Sequence, residues 1–184
     1  MNKSLQYLII SFGVLLLLYL INESQQTKYK SSIESIFNVD GNDIDKIFLK
    51  DFNGDNLTLI KSDTTWSILN HDSLLIKDRQ IDQFWDKVIG GKYDMLVSKN
   101  PNKWAKFGVD DSSGKKLSLY EGDNEIASVI FSNKGQDYSH NFYRTIGEDE
   151  VYRTSDNIFY MLNTRPTYWG NKPKVESSDS TKVN

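Results

Sequence analysis

Residues 44–89 read IDKIFLKDFNGDNLTLIKSDTTWSILNHDSLLIKDRQIDQFWDKVI, and the fold class turns on this stretch. Ile44, Ile47, Phe48 and Leu49 make a short strand, and residues 57–60 make a second. Between them stands Asn53-Gly54, two residues that tolerate positive φ, so the pattern predicts a hairpin. Trp66 and Ile68 alternate with Thr65 and Ser67, which predicts a third strand. Then the period changes. Ile81, Phe84, Trp85, Val88 and Ile89 fall at i, i+3, i+4, i+7 and i+8, one apolar helical face. Asp78 is expected to cap this helix and Gly90-Gly91 to end it.

The same alternation continues outward. Met95-Leu96-Val97 reads as a buried strand. Residues 117–120 and 126–131 pair across Glu121-Gly122-Asp123-Asn124, and residues 142–146 and 151–153 across Gly147-Glu148-Asp149. A short helix is expected over residues 156–162, with Ile158, Met161 and Leu162 on one side. Strand–strand–strand–helix thus occurs twice. The expected class is α+β: mostly antiparallel sheets, two amphipathic helices and two half-repeats of pattern.

In front of this domain the mean hydropathy of −0.53 conceals residues 5–21, LQYLIISFGVLLLLYLI. As a helix the run spans about 25 Å, enough to cross a bilayer. Tyr7 and Tyr19 sit near its ends, where amphipathic rings favour the interface. The segment after Ile21 offers no small-residue cleavage site, so an uncleaved signal anchor is expected. Lys3 precedes the run and Glu23 follows it, which is expected to place the N-terminus in the cytoplasm and everything after Asn22 outside. The expected organisation is residues 1–22 as anchor, 23–32 as polar tether, 33–172 as the outer α+β domain and 173–184 as a disordered tail.

Composition excludes much chemistry. The chain has no cysteine and two histidines, and its net charge is −3. Disulfides, thiolate metal sites, cysteine nucleophiles and lipoprotein anchoring are ruled out, and a nucleic-acid-binding face is not expected. Asp51, Asn53 and Asp55 echo a calcium loop, but Asn56 and Ser62 stand where that loop needs glycine and a bidentate glutamate. His71 and His140 read as loop residues. Neither a phosphate-binding loop nor a nucleophile elbow occurs. The expectation is a non-enzymatic protein without metal or cofactor. Trp66 and Trp85 fall on apolar phases and are assigned to the core. Trp104 and Trp169 lie in loops among basic residues, so Trp104, Trp169, Lys106 and Arg165 are the candidate partner contacts. A carbohydrate- or envelope-polymer-binding platform built on those exposed rings is the alternative reading.

The order of motifs carries a resemblance. An amino-terminal anchor precedes the Trp66 strand, the amphipathic helix, Phe107-Gly108-Val109-Asp110, Tyr143-Arg144 and Val151-Tyr152. Over residues 44–162 this resembles the family called domain of unknown function 4340. Ser132-Asn133-Lys134-Gly135 departs from the family's usual small-residue glycine. The resemblance implies an anchored extracytoplasmic protein, often encoded beside ABC-type exporters of the kind linked to gliding motility. ABC transporter subunits are therefore the expected membrane partners. It carries over no catalytic residue.

Overall fold

The computed structural model describes residues 3–27, 33–135 and 137–173. Contacts divide the chain into two units, Met1–Ser32 and Ile33–Asn184. The first is helix α1, Lys3–Thr27. Within it Lys3–Ile21 has a mean hydropathy of 2.2, long and apolar enough to cross a membrane. The helix runs five residues past the expected end at Asn22, into the proposed tether. The rest of that tether (28–32) and nearly all of the proposed tail (174–184) lie outside the described residues.

The second unit is built on strands β1 (Glu34–Ser35), β2 (Lys46–Lys50), β3 (Asn56–Ser62), β4 (Thr65–Ile68), β5 (Leu75–Ile76), β6 (Lys92–Ser98), β7 (Lys115–Glu121), β8 (Asn124–Phe131), β9 (Phe142–Thr145), β10 (Val151–Thr154) and β11 (Gly170–Asn171). Nine of them form one antiparallel sheet in the order β1-β6-β10-β9-β8-β7-β2-β3-β4, and β5 pairs with β11. Two meanders run outward in opposite directions from the β2–β7 pair: β2-β3-β4 one way, β7-β8-β9-β10 the other. They are not repeats of strand–strand–strand–helix: the first has three strands before a helix, the second four strands before a 3₁₀ turn. Helix α2 (Asp78–Phe84) carries the chain from the β4 edge to β6 at the opposite flank.

Strand alternation puts the main core on one sheet face. Ile47, Leu49, Leu57, Leu59, Leu117 and Leu119 are buried there, and registers such as Ile47↔Leu59 and Ile47↔Leu119 align them in rows. Helix α2 covers this face with Ile81, Phe84 and Val88. It differs from the expected helix in two respects. Its N-cap is Lys77, leaving Asp78 in the first turn beside the positive helix end. Its last turn, Trp85–Ile89, widens to a π-helix in which the Gly90 amide reaches the Trp85 carbonyl at 2.9 Å. Phe84 rather than Trp85 is the fully buried aromatic. Trp85 is half-buried at the rim, tilted on Trp66 at 6.0 Å.

Three further expectations change. The β2–β3 turn uses positive φ only at Gly54 (92°). The Gly54 amide bonds the Asp51 carbonyl, and the loop is a three-residue type with a bulge rather than a two-residue turn. Met95 is exposed and Leu96 half-buried, because β6 is shielded on its outer side only by the two-residue β1. Residues 156–162 form only a 3₁₀ turn, Phe159–Met161. The Asn163 amide bonds the Met161 carbonyl at 2.9 Å and Leu162 takes φ −82°, ψ 67°, an inverse γ-turn that stops the helix.

Candidate functional site

The other sheet face carries a second, smaller core of Val109, Ile130 and Val151, with Trp104, Phe107 and Phe142 packed on it. Helix α3 (Trp104–Phe107) forms its lid. Gly108 ends α3 at φ 68°, and a Cβ there would stand 2.7 Å from the Ser132 hydroxyl. Only glycine satisfies both conditions. Phe107 then meets Phe142 edge-on at 5.1 Å, and Val109 drops into the core.

At the centre lies Arg144, 4% exposed. A buried guanidinium is costly unless its donors are filled. Here Nε donates to the Val109 carbonyl at 3.2 Å and Nη1 to the Thr145 carbonyl at 3.4 Å. Nη2 stands 3.6 Å from the Asp111 carboxylate. The Trp104 ring covers the guanidinium at 3.8 Å, while Trp104 Nε1 donates to the Asp149 carbonyl at 3.2 Å. Burial pulls the Arg144 pKa below its ordinary value, opposed by Asp111, Asp110 and Asp149. Alternation separates the neighbours of this residue. Tyr143 and Tyr152 point to the main-core face, stacked at 5.5 Å, with Tyr93 at 4.7 Å from Tyr152. Thus Phe107-Gly108-Val109, Tyr143-Arg144 and Val151-Tyr152 form one bonded unit across β9 and β10. These contacts use the motif residues for packing.

The four candidate contacts divide. Trp104 is half-buried against Arg144 and Lys106 is exposed on α3. Arg165 is exposed just before helix α4 (Pro166–Trp169). Trp169 corrects the surface assignment. It is fully buried in the main core, edge-on to Phe84 at 5.6 Å, with Nε1 donating to the Asn163 carbonyl at 2.6 Å. Pro166 at the first helical position is the local signal for α4, which stands where a loop is expected. The Lys77 ammonium secures the helix end, donating to the Thr167 and Tyr168 carbonyls at 2.7 and 3.1 Å. Because α3 and α4 pack on opposite sheet faces, the two tryptophans make no shared platform.

Other candidate chemistry has local partners. Asp51 Oδ1 accepts from the Asn53 and Asp55 amides at 2.8 and 3.2 Å, and Oδ2 from the Thr164 hydroxyl at 3.2 Å. Its carboxylate therefore braces the hairpin and ties it to the chain before α4. His140 Nδ1 pairs with Asp137 at 2.6 Å, and the His71 amide bonds the Ile68 carbonyl. The Lys115 ammonium donates to the Leu162 carbonyl at 2.7 Å, and burial lowers its pKa. Among the described residues no group of three or more His, Asp or Glu converges as a metal site.

No match was found among curated proteins or solved structures. The family model described as Domain of unknown function (DUF4340) matches residues 66–184. The match opens at Trp66 rather than Ile44, so it omits β2 and β3 although both are interior strands of the sheet. It spans more than half of the chain and contains the whole unit built around Arg144, and on that extent the chain belongs to the DUF4340 family.

Proposed function

We propose that this protein is a non-enzymatic accessory of a membrane complex. Lys3–Ile21 would anchor it in the bacterial inner membrane with the N-terminus cytoplasmic, and the α+β unit would meet membrane-protein partners in the periplasm. An auxiliary role beside an ABC-type exporter is the specific form of this reading. The observation that carries it is the anchor helix: 19 residues at mean hydropathy 2.2, none of that window buried. A non-catalytic role is supported by the polar groups with displaced pKa values. The Arg153 hydrogen bond holds Asp94 below the carboxylate range, and Arg144 and Lys115 are spent on backbone carbonyls. The carbohydrate-platform alternative needs open ring faces; Trp169 offers none, and Trp104 gives one face to Arg144.

Fractionation tests the reading. The full-length protein should sediment with membranes and resist alkaline carbonate. Protease should digest the outer unit only once the periplasm is opened. In-cell cross-linking should then recover integral membrane proteins. A mature N-terminus between Asn22 and Lys30, read by mass spectrometry, would overturn the anchor.

A further inference from the structure

Among the described residues the sheet ends at β4, and none of them pairs with that edge. It has no proline, no charged residue and no bulge, the usual devices that blunt an exposed strand. The opposite edge, β1, is only two residues long. Antiparallel pairing alternates between residues bonded to the neighbour and residues facing away. The Leu69 amide bonds the Thr58 carbonyl at 2.9 Å, which fixes the phase: Ser67 and Thr65 face β3, while Trp66 and Ile68 face outward. The Lys61 amide agrees, turning from Trp66 to the Asp45 carbonyl. The Ile68 carbonyl is taken by the His71 amide at 3.0 Å. Outward along the edge remain the Trp66 N–H and C=O and the Ile68 N–H, which bond no other described residue.

A groove of about 400 Å³ lies along this edge, with Leu74, Leu75 and Ile76 among its lining residues. Leu74 and Ile76 pack on the main core, whereas Leu75 is 60% exposed. The groove therefore combines open backbone donors and an acceptor with an apolar wall on one face. Phase dictates what fills it. A residue beside Trp66 and Ile68 on the core face would meet Leu74 and Ile76. The alternate residues would lie beside the solvent-exposed Thr65 and Ser67.

We infer that the β4 edge is a peptide-binding site, taking an extended partner segment of alternating apolar and polar residues as a tenth strand. This gives the partner proposed above a chemistry, and so rests on that reading. The backbone groups supply pairing and the Leu74–Ile76 wall selects apolar side chains at alternate positions.

The test uses purified full-length protein in detergent and the labelled peptide Lys-Thr-Val-Thr-Ile-Thr-Val-Lys, titrated by fluorescence anisotropy. Saturable binding is expected. Leu75→Asp should weaken it at least tenfold without shifting the thermal melt, since Leu75 lies outside the core. N-methylation of alternate peptide amides on the pairing edge should abolish it. Hydrogen exchange at the Trp66 and Ile68 amides should slow on binding, while the Ser67 and Leu69 amides stay protected throughout. No binding, or binding indifferent to N-methylation and to Leu75→Asp, overturns the site. A dimer without peptide that protects the same two amides also overturns it, assigning the edge to a second copy. Because the assay contains no membrane partner, its failure leaves the anchor reading to the fractionation experiment.

Discussion

The two faces of the sheet are stabilised by different means. The main core is a broad apolar layer in which Leu, Ile, Val and aromatic side chains meet across many strands. The second core has three fully buried apolar residues and depends on a guanidinium, a glycine turn and one tryptophan ring to close. A broad apolar layer distributes its stability, so a lost side chain costs its own burial and the cavity it leaves. A small core around a charge concentrates it, so the loss of one donor set leaves several groups unpaired.

The largest expected effect lies on the main face. Trp169→Ala should destabilise by about 3–5 kcal/mol, the range for a fully buried aromatic. It removes the contact with Phe84 and leaves the Asn163 carbonyl without its indole donor. Urea unfolding of the full-length protein in detergent measures the loss. An effect below about 1 kcal/mol would return Trp169 to the surface.

On the second face, Arg144→Met should cost about 2 kcal/mol, less than a fully buried ion pair because Asp111 is exposed and returns to water. Arg144→Lys should not rescue it. An ammonium on a flexible stem cannot donate to Val109 in the same geometry while lying flat on Trp104. A lysine variant as stable as wild type would show that charge alone, not the planar fork, closes this core. Gly108→Ala should cost about 1–2 kcal/mol for the left-handed backbone, before the Ser132 contact is counted.

The comparison also explains what could be read in advance. Period-two alternation identified β2, β3 and β4, each of which buries one face, and runs rich in apolar residues between turn signals identified β7, β8, β9 and β10, where β8 buries residues on both faces. Period 3.6 identified α2, which also buries one face. That rule ranked Trp85 equal to Phe84, however, and could not foresee the π-turn that places Trp85 at the rim. Consistent with this, Trp85→Ala should cost about 1–2 kcal/mol, against under about 0.5 kcal/mol for exposed Lys87→Ala. Where a non-local contact decides the structure, pattern was silent. Trp169 is buried because β11 pairs with β5 and Lys77 holds the end of α4, partners about 90 residues away in sequence. Nothing in the strand pattern marks Arg144 as buried. Its burial depends on the four-residue α3 lid, too short for a helical period to show and marked locally only by its boundaries, Asn100-Pro101 before it and Gly108 after it. The β4 edge was visible as a strand, but its position at the end of the sheet was not.

The smallest effect expected of a paired group is a pH dependence at the junction of β6 and β10. Arg153 grips Asp94 with two donors, Nε to Oδ1 at 2.9 Å and an Nη2 contact to Oδ2. That hydrogen bond holds the Asp94 pKa below its usual value, against the desolvation that opposes it. An unfolded aspartate titrates near about 3.9. A carboxylate with a depressed folded pKa stabilises the fold above the unfolded value, and that contribution is lost as pH falls through the folded one. Asp94→Asn should therefore lower stability by about 1 kcal/mol at pH 6, the upper end for an accessible ion pair of good geometry. The gap to wild type should narrow as pH falls below about 4, since protonation removes the same charge from the wild-type protein. Unfolding midpoints from pH 6 to pH 2 measure this convergence. Parallel curves for the two proteins would mean that Asp94 and Arg153 contribute contact but not charge, and that this flank of the sheet is held by the β6–β10 backbone pairing and the Tyr93, Tyr143 and Tyr152 rings.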